Sequence, residues 1–250
     1  MFKMRWWRPP LSLAGLIALS AWQSRGLLGG AILGVVAGLS ARFFATASLG
    51  QDARVMIDLL LAITTIGSLA IGWLIATNLA AAEQERGAGL LLASKPLTAG
   101  QYAVGRWLGI VVGSALIYII SALVGCLIAS LGQQMPLAEL SLSWLTSGGE
   151  LLVLAALANL LACWTTSSLA SFLTLALWFI GHSIDVLVMS SGWQFLGYIL
   201  PNLNRFNLHE TYVTATGLPG TFYVLTGVYA LSWSVVLVVL ASAALKKRTW

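Results

Sequence analysis

The residues of this chain best suited to chemistry are His182 and Asp185, three positions apart in an apolar stretch. On a helix this spacing puts both side chains on one face, where they could pass a proton between them. The alternative is a polar contact between two helices near the end of a membrane span. One histidine and one aspartate are too few ligands for a metal ion, so no metal site is predicted.

A second pair of ionisable residues opens another apolar stretch, where Arg54 stands one helical turn before Asp58. An unpaired charge at the centre of a bilayer costs about 2.5–3.5 kcal/mol. We therefore predict that Arg54 pairs with Asp58 near the membrane surface, with a polar lining for a transport pathway as the alternative.

Neither catalysis nor nucleotide binding is predicted. The carboxylates are scattered singly, and the Ser, His and Asp of the HSID sequence share one helix without a nucleophile elbow. The chain also lacks the GxxxxGK[ST] loop that holds nucleotide phosphates. We predict no enzymatic activity and no cofactor in this chain, so that any Mg-ATP must be bound by a partner.

The composition places these groups in a membrane protein. Of the 250 residues, 59% are hydrophobic and 8% are charged, and the mean hydropathy is +0.90. Apolar runs of about 20 residues recur, which is the length needed to cross a bilayer. The net charge of +5 comes from basic residues beside these runs, a pattern that favours contact with lipid head groups and not with nucleic acid.

The predicted fold is an all-α polytopic membrane protein, a single domain over residues 1–250 with six spans. An interfacial elbow helix is predicted over residues 11–25. Residues 83–107 form a charged segment between the second and third spans, and residues 190–220 form a loop that is either superficial or re-entrant. Only a tight turn separates the fourth and fifth spans. The spans cover approximately 27–49, 55–82, 108–131, 146–166, 168–189 and 221–245.

The distribution of basic residues predicts the orientation. If both termini lie in the cytoplasm, only Arg42, Arg54 and Arg205 face outward, which leaves ten of the 13 basic residues inside. Because basic residues concentrate on the cytoplasmic side, both termini are predicted there, together with residues 83–107.

The segment over residues 83–107 concentrates charge in an otherwise apolar chain. Pro96 disfavours helix at Lys95, and Thr98 can cap a new helix that runs into the third span. These signals predict a short, partly apolar helix near the membrane surface, with charges at both ends, which suits docking on a cytoplasmic protein. The alternative is an ordinary solvated loop whose Glu and Arg stop the spans from slipping into lipid.

Glycine recurs at every fourth residue in two places, which predicts close approach of helix backbones. We expect these ridges to pack within the chain, with a homodimer seam as the alternative. The ridges comprise Gly26, Gly30, Gly34 and Gly38 in the first, and Gly105, Gly109 and Gly113 in the second.

Three stretches resemble a known family. EQERGAGLLLASKPL, followed by Tyr102 and by Gly105-Arg106 before a span, is similar to the permease subunits of type II ABC exporters. SLGQDARVMIDLLLA from Ser48 and LGYILPNLNRFNLHE from Leu196 resemble the branch known as multicopper-enzyme-maturation permeases. With the six spans, the resemblance covers most of the chain.

The resemblance implies a transport subunit of the bacterial inner (plasma) membrane. It implies a cytoplasmic ABC ATPase as partner, a second permease copy or homologue, and export or mechanical work on a membrane or periplasmic client. The alternatives are a proton-coupled secondary carrier and a non-transporting membrane scaffold for an assembly factor. By the resemblance, the residues that couple the chain to the ATPase are Glu83, Glu85, Arg86, Gly87, Lys95 and Pro96.

Overall fold

A computed structural model of the protein is all-helical throughout the described part of the chain. The described residues are 8–21, 27–47, 52–85, 97–131, 137–189, 194–207 and 218–248. Within these ranges six helices are long and apolar enough to cross a membrane. The predicted fold class, an all-α polytopic membrane protein, is thereby confirmed.

The helices are numbered in chain order. A short helix, α1, precedes the spans, and another, α7, together with a 3₁₀ turn at Leu203–Phe206, lies between the last two spans. The helices are α1 Arg8–Ala21, α2 Leu27–Thr46, α3 Asp52–Glu85, α4 Ala99–Ala129, α5 Leu137–Trp164, α6 Ser167–Met189, α7 Leu196–Ile199 and α8 Gly220–Arg248.

Two helices begin nine residues before the predicted spans. For α4 this earlier start was expected, because Thr98 was predicted to cap a helix that runs into the span from residue 108, whereas α5 begins at Leu137 although its span was predicted from residue 146. The predicted spans excluded these stretches because their polar residues shorten the apolar run. Several of those polar side chains, including Gln101 and Ser143, are buried against neighbouring helices. Packing therefore extends both helices beyond what hydropathy alone indicates.

The start of α4 matches its prediction. The Thr98 hydroxyl accepts a hydrogen bond from the backbone N–H of Gln101 at 3.2 Å, and the Gln101 side chain accepts one from the Thr98 N–H at 3.1 Å. This reciprocal arrangement is a capping box, which satisfies two backbone donors at the helix start.

Removing this cap gives a first testable prediction. Thr98→Ala should destabilise the protein by about 1 kcal/mol, because the N–H of Gln101 loses its acceptor. Unfolding titrations in mixed detergent micelles measure this change. Thr98→Ser is the control, since it keeps the hydroxyl, and an equal loss in the Ser and Ala variants would contradict the assignment.

The first glycine ridge packs within the chain. α2 runs parallel to α4, so that Gly30 lies against Ile117 and Gly38 against Ile128. A Cβ atom at Gly34 would lie 2.6 Å from the carbonyl oxygen of Ser121, which shows that the backbones are in contact. The interpretation of this ridge as an intramolecular packing surface is therefore confirmed for Gly30, Gly34 and Gly38.

The second glycine ridge receives α1. A Cβ atom at Gly105 would lie 2.8 Å from the carbonyl oxygen of Pro10, and one at Gly109 would lie 2.6 Å from Cβ of Ile17. Gly113 is buried on the same helix. The predicted elbow helix at residues 11–25 thus corresponds to a helix at Arg8–Ala21 that lies against α4.

α3 and α4 continue together beyond the start of α2. The two are antiparallel, because Gly72 meets Ser114 while Leu60 meets Gly125. α2 begins about level with residue 114 of α4, so residues 99–113 run about 22 Å past it at 1.5 Å per residue. We call residues 76–85 of α3 and 99–113 of α4 the helical extension.

α5 is the central helix of the bundle. Within an 18-residue apolar window of each helix, 83% of the residues of α5 are buried, against 17% for α6 and 33% for α8. Hydrogen bonds fix its position beside α4, from Trp107 Nε1 to the carbonyl oxygen of Leu152 (3.2 Å) and from Asn159 Nδ2 to that of Ala103 (3.3 Å). Polar residues on α5 are therefore shielded from lipid by the surrounding helices.

Candidate functional site

A buried ionisable cluster lies at the middle of α5. Glu150 is 3% exposed, and its Oε1 accepts a hydrogen bond from the indole Nε1 of Trp178 at 2.7 Å. The same oxygen lies 3.5 Å from Nε2 of His182. We call Glu150, Trp178 and His182 the polar centre. A carboxylate at this depth needs such partners, because an unpaired charge in the bilayer is costly.

The hairpin of α5 and α6 brings the polar centre together. Only Thr165 and Thr166 separate the two helices, as the predicted tight turn requires. Glu150 lies 14 residues before the end of α5 at Trp164, while Trp178 lies 11 residues after the start of α6 at Ser167 and His182 lies 15 after it. In an antiparallel hairpin these counts place the three side chains at one level.

α6 presents Trp178 and His182 on one face. They are four residues apart, their ring centroids are 4.8 Å apart, and Nδ1 of His182 lies 3.2 Å from the carbonyl oxygen of Trp178. Nε1 of Trp178 and Nε2 of His182 both contact Oε1 of Glu150. Residues at i and i+4 share a helix face, so one orientation of α6 about its axis allows both contacts.

Hydroxyl groups continue the polar centre towards α3 and α4. Tyr118 lies close to Thr65, Ser147 and Glu150, and its hydroxyl is 3.3 Å from the carbonyl oxygen of Trp144. Further along, Ser68 and Ser121 are joined by a hydrogen bond of 3.2 Å. Two groups of polar side chains therefore lie in the interior of the bundle where these helices meet.

Sequence reasoning missed Glu150. It lies inside the predicted span 146–166, as a lone carboxylate between Gly149 and the apolar LLVLAALANLL run. A carboxylate in a membrane span is by default a functional candidate. The carboxylate of Glu150 was therefore visible in the sequence. Its partners on α6 could be identified only from the pairing of α5 with α6.

Asp185 makes polar contacts outside its own helix. Its Oδ1 accepts a hydrogen bond from Nδ2 of Asn202 at 2.6 Å, and its Oδ2 accepts one from Nδ2 of Asn204 at 3.0 Å. The relay pair His182 and Asp185 is thus divided, since His182 faces Glu150. Asp185 instead holds the chain between α7 and α8.

The segment at residues 200–207, which we call the inserted segment, enters the bundle beside the polar centre. Leu203 and Phe206 are both 0% exposed. Leu203 packs on Gly181, eight residues before the end of α6, and Phe206 packs on Gly149, twelve residues after the start of α5. These counts correspond to about 12–18 Å from the helix ends.

Tyr229 of α8 completes the attachment of the inserted segment. Its hydroxyl accepts a hydrogen bond from the backbone N–H of Asn202 at 2.7 Å, and its ring lies 6.0 Å from that of Phe206. The guanidinium of Arg205 lies 5.8 Å above the same ring. Backbone at this depth requires internal partners, and α6 and α8 supply them.

The second predicted pair near the membrane is present. Arg54 Nε lies 3.9 Å from Asp58 Oδ2, one turn apart on α3, and both side chains remain partly exposed. A contact of this length and exposure contributes little to stability. The predicted pair of Arg54 and Asp58 is therefore present, with little effect of its own on stability.

The predicted coupling residues fall mostly outside the described residues, which is the case for Arg86, Gly87, Lys95 and Pro96. Glu83 and Glu85 lie in the last turns of α3, whose backbone is described to Glu85.

Arg106 is another charged residue of the segment at 83–107. We expected the charged residues of this segment to lie in water, but Arg106 is buried. It is 1% exposed, since α4 extends into this segment and packs there on its neighbours.

Comparison with protein-family models and with curated proteins finds no match for this chain.

Proposed function

We propose that this chain is the membrane-spanning permease subunit of a transporter powered by a separate cytoplasmic ABC ATPase. The observation that carries the proposal is the helical extension. It consists of the end of α3 and the start of α4, and residues 86–96 lie in the connection between them. The resemblance of EQERGAGLLLASKPL to the coupling segment of type II ABC exporters supports the same assignment.

The lengths of α3 and α4 support a connection that lies beyond the hydrocarbon. α3 has 34 residues and α4 has 31, which correspond to about 51 Å and 46 Å, against a hydrocarbon thickness of about 30 Å. The excess of about 15–20 Å can carry residues 86–96 away from lipid. A charged segment at this position can then contact a soluble partner.

The packing of the extension supports transmission of movement. α1 lies against Gly105 and Gly109, and Asn159 of α5 donates to the carbonyl oxygen of Ala103. A push on residues 86–96 would therefore move α3, α4 and α1 together, as in transitions where packed helices shift as rigid bodies. The work would drive export or act on a membrane or periplasmic client. Two such permeases, identical or homologous, would share two ATPases in the bacterial inner membrane.

Co-purification with candidate ATPases from the host tests this proposal. Glu85→Lys and Lys95→Glu should each reduce recovery of the ATPase about tenfold. Each substitution reverses a charge, so that the new side chain faces a like charge on the partner and is repelled by it. A tenfold loss corresponds to about 1.4 kcal/mol of binding free energy. Asp52→Lys, at the opposite end of α3, is the matched control and should leave recovery unchanged.

Other outcomes would overturn the assignment. Unchanged recovery and unchanged ATP turnover in both variants would remove the coupling role of residues 83–96. Transport that collapses with a protonophore, without ATPase binding, would favour the secondary carrier. ATPase binding without nucleotide-dependent movement of spin labels on α2 and α6 would favour a scaffold.

A further inference from the structure

We propose that Glu150 and His182 form a proton-binding site in the membrane interior. The inference goes beyond the ATPase-driven function and does not depend on it. It rests on the contact of Oε1 of Glu150 with Nε2 of His182, 3.5 Å apart, at the middle of the central helix. Both groups can gain and lose protons, and the carboxylate is buried while the imidazole keeps 24% of its side-chain surface exposed.

A proton suits this pair better than a metal ion does. One carboxylate and one imidazole are too few ligands for a metal site, whereas each of the two groups can bind a single proton. In the loaded state the pair carries one proton more than the ionised carboxylate and neutral imidazole together. Its net charge is then zero, and release of that proton to water returns the charge to minus one.

Trp178 donates a hydrogen bond to the carboxylate of the site and separates the site from an apolar cleft. Its indole N–H donates to Oε1 of Glu150 at 2.7 Å in both states, because an indole does not titrate. The same side chain lines an apolar cleft between α3, α5 and α6, together with Ile66 and Thr174. The proton therefore resides beside a non-aqueous space, where electrostatic interactions are strong.

Other ionisable groups of the surrounding helices already have partners. Tyr118 of α4 is 3.3 Å from the Trp144 carbonyl, and Tyr229 of α8 accepts from Asn202. On α6, Asp185 accepts from two asparagines, and Arg205 of the inserted segment lies over the Tyr229 ring. From α3 the hydroxyl of Thr65 lies beside Tyr118, and a hydroxyl does not titrate in this range. Exchange is thus assigned to Glu150 and His182.

The inserted segment closes the site on one side. Phe206 packs on Gly149 and Leu203 packs on Gly181, each next in sequence to a member of the pair. Both apolar side chains are fully buried. Access for a proton from this end of the bundle therefore requires the inserted segment to move.

Labelling with dicyclohexylcarbodiimide tests the proposal, because this apolar reagent modifies protonated carboxyl groups. The purified full chain is treated between about pH 5 and pH 9, and the modified fraction of Glu150 is measured by peptide mass spectrometry. We expect modification at Glu150 that changes at least about tenfold over this range, since a site that binds one proton titrates over two pH units. Glu150→Gln should abolish the labelled peptide.

His182→Gln should shift the midpoint of this pH dependence by about one unit or more, which is a tenfold change in proton affinity. Ser183→Gln, which places the same side chain on the exposed neighbouring position, is the matched control and should leave the midpoint in place. An unchanged midpoint in His182→Gln would overturn the shared site.

An infrared difference spectrum of the wild type between low and high pH gives an independent test if a variant fails to fold. We expect a band of a protonated carboxyl group at low pH. Absence of both this band and the labelling of Glu150, in a sample whose unfolded form is labelled, would overturn the proposal.

Discussion

Replacing Gly34 by alanine should lower the free energy of unfolding by about 1–3 kcal/mol. The added Cβ would lie 2.6 Å from the carbonyl oxygen of Ser121 and 2.8 Å from Cβ of Val124. Because one of these contacts is with backbone, no side-chain rotation can relieve it, and α2 must move away from α4. That movement loses the close packing on which helix association in membranes depends.

Gly29 provides the matched control on the same helix. A Cβ atom at Gly29 would meet nothing within 4 Å, so Gly29→Ala adds the same methyl group on the open face of α2. Denaturant titration of both variants in mixed micelles measures the difference. Equal stability of the two variants would show that α2 and α4 are not in backbone contact in the folded protein.

Phe206→Ala should release the inserted segment. Phe206 is 0% exposed and packs between Gly149 and Tyr229, so its loss leaves a cavity that the rigid neighbours cannot fill. Truncation of a buried phenylalanine costs about 3–5 kcal/mol. If the local opening carries about 3 kcal/mol of this, amide exchange in residues 202–207 should accelerate about 100-fold.

Hydrogen exchange followed by mass spectrometry measures that acceleration. Tyr198→Ala is the control, because Tyr198 belongs to the same loop but is 87% exposed. It should leave exchange in residues 202–207 within about twofold of the wild type. Equal acceleration in both variants would mean that the whole loop opens together and that Phe206 is not its anchor.

The membrane architecture was largely accessible from the sequence. Apolar length predicted six spans, the Thr98 signal predicted the start of α4, and the spacing of Gly30, Gly34 and Gly38 predicted close helix packing. These features depend on local periodicity and on the thickness of the bilayer. They can therefore be read without knowing which helices are neighbours.

The candidate site could not be predicted in the same way. His182 was recognised as a polar residue, but its contact with Glu150 depends on the register of the α5–α6 hairpin. For Asp185, three residues from His182 on one helix, the sequence left open a relay with His182 or a polar contact with another part of the chain. The oxygens of Asp185 meet Asn202 and Asn204, since the inserted segment returns into the bundle. Local spacing identifies groups that can interact, whereas tertiary structure selects the partners.

The short connection between α5 and α6 has a consequence for biosynthesis. Glu150 leaves the ribosome before Trp178 and His182, and a lone carboxylate exposed to lipid at mid-depth costs about 2.5–3.5 kcal/mol. With only Thr165 and Thr166 between the helices, both can leave the translocon as one hairpin with the carboxylate already capped. We therefore expect the central helix to integrate into the membrane together with the helix that follows it.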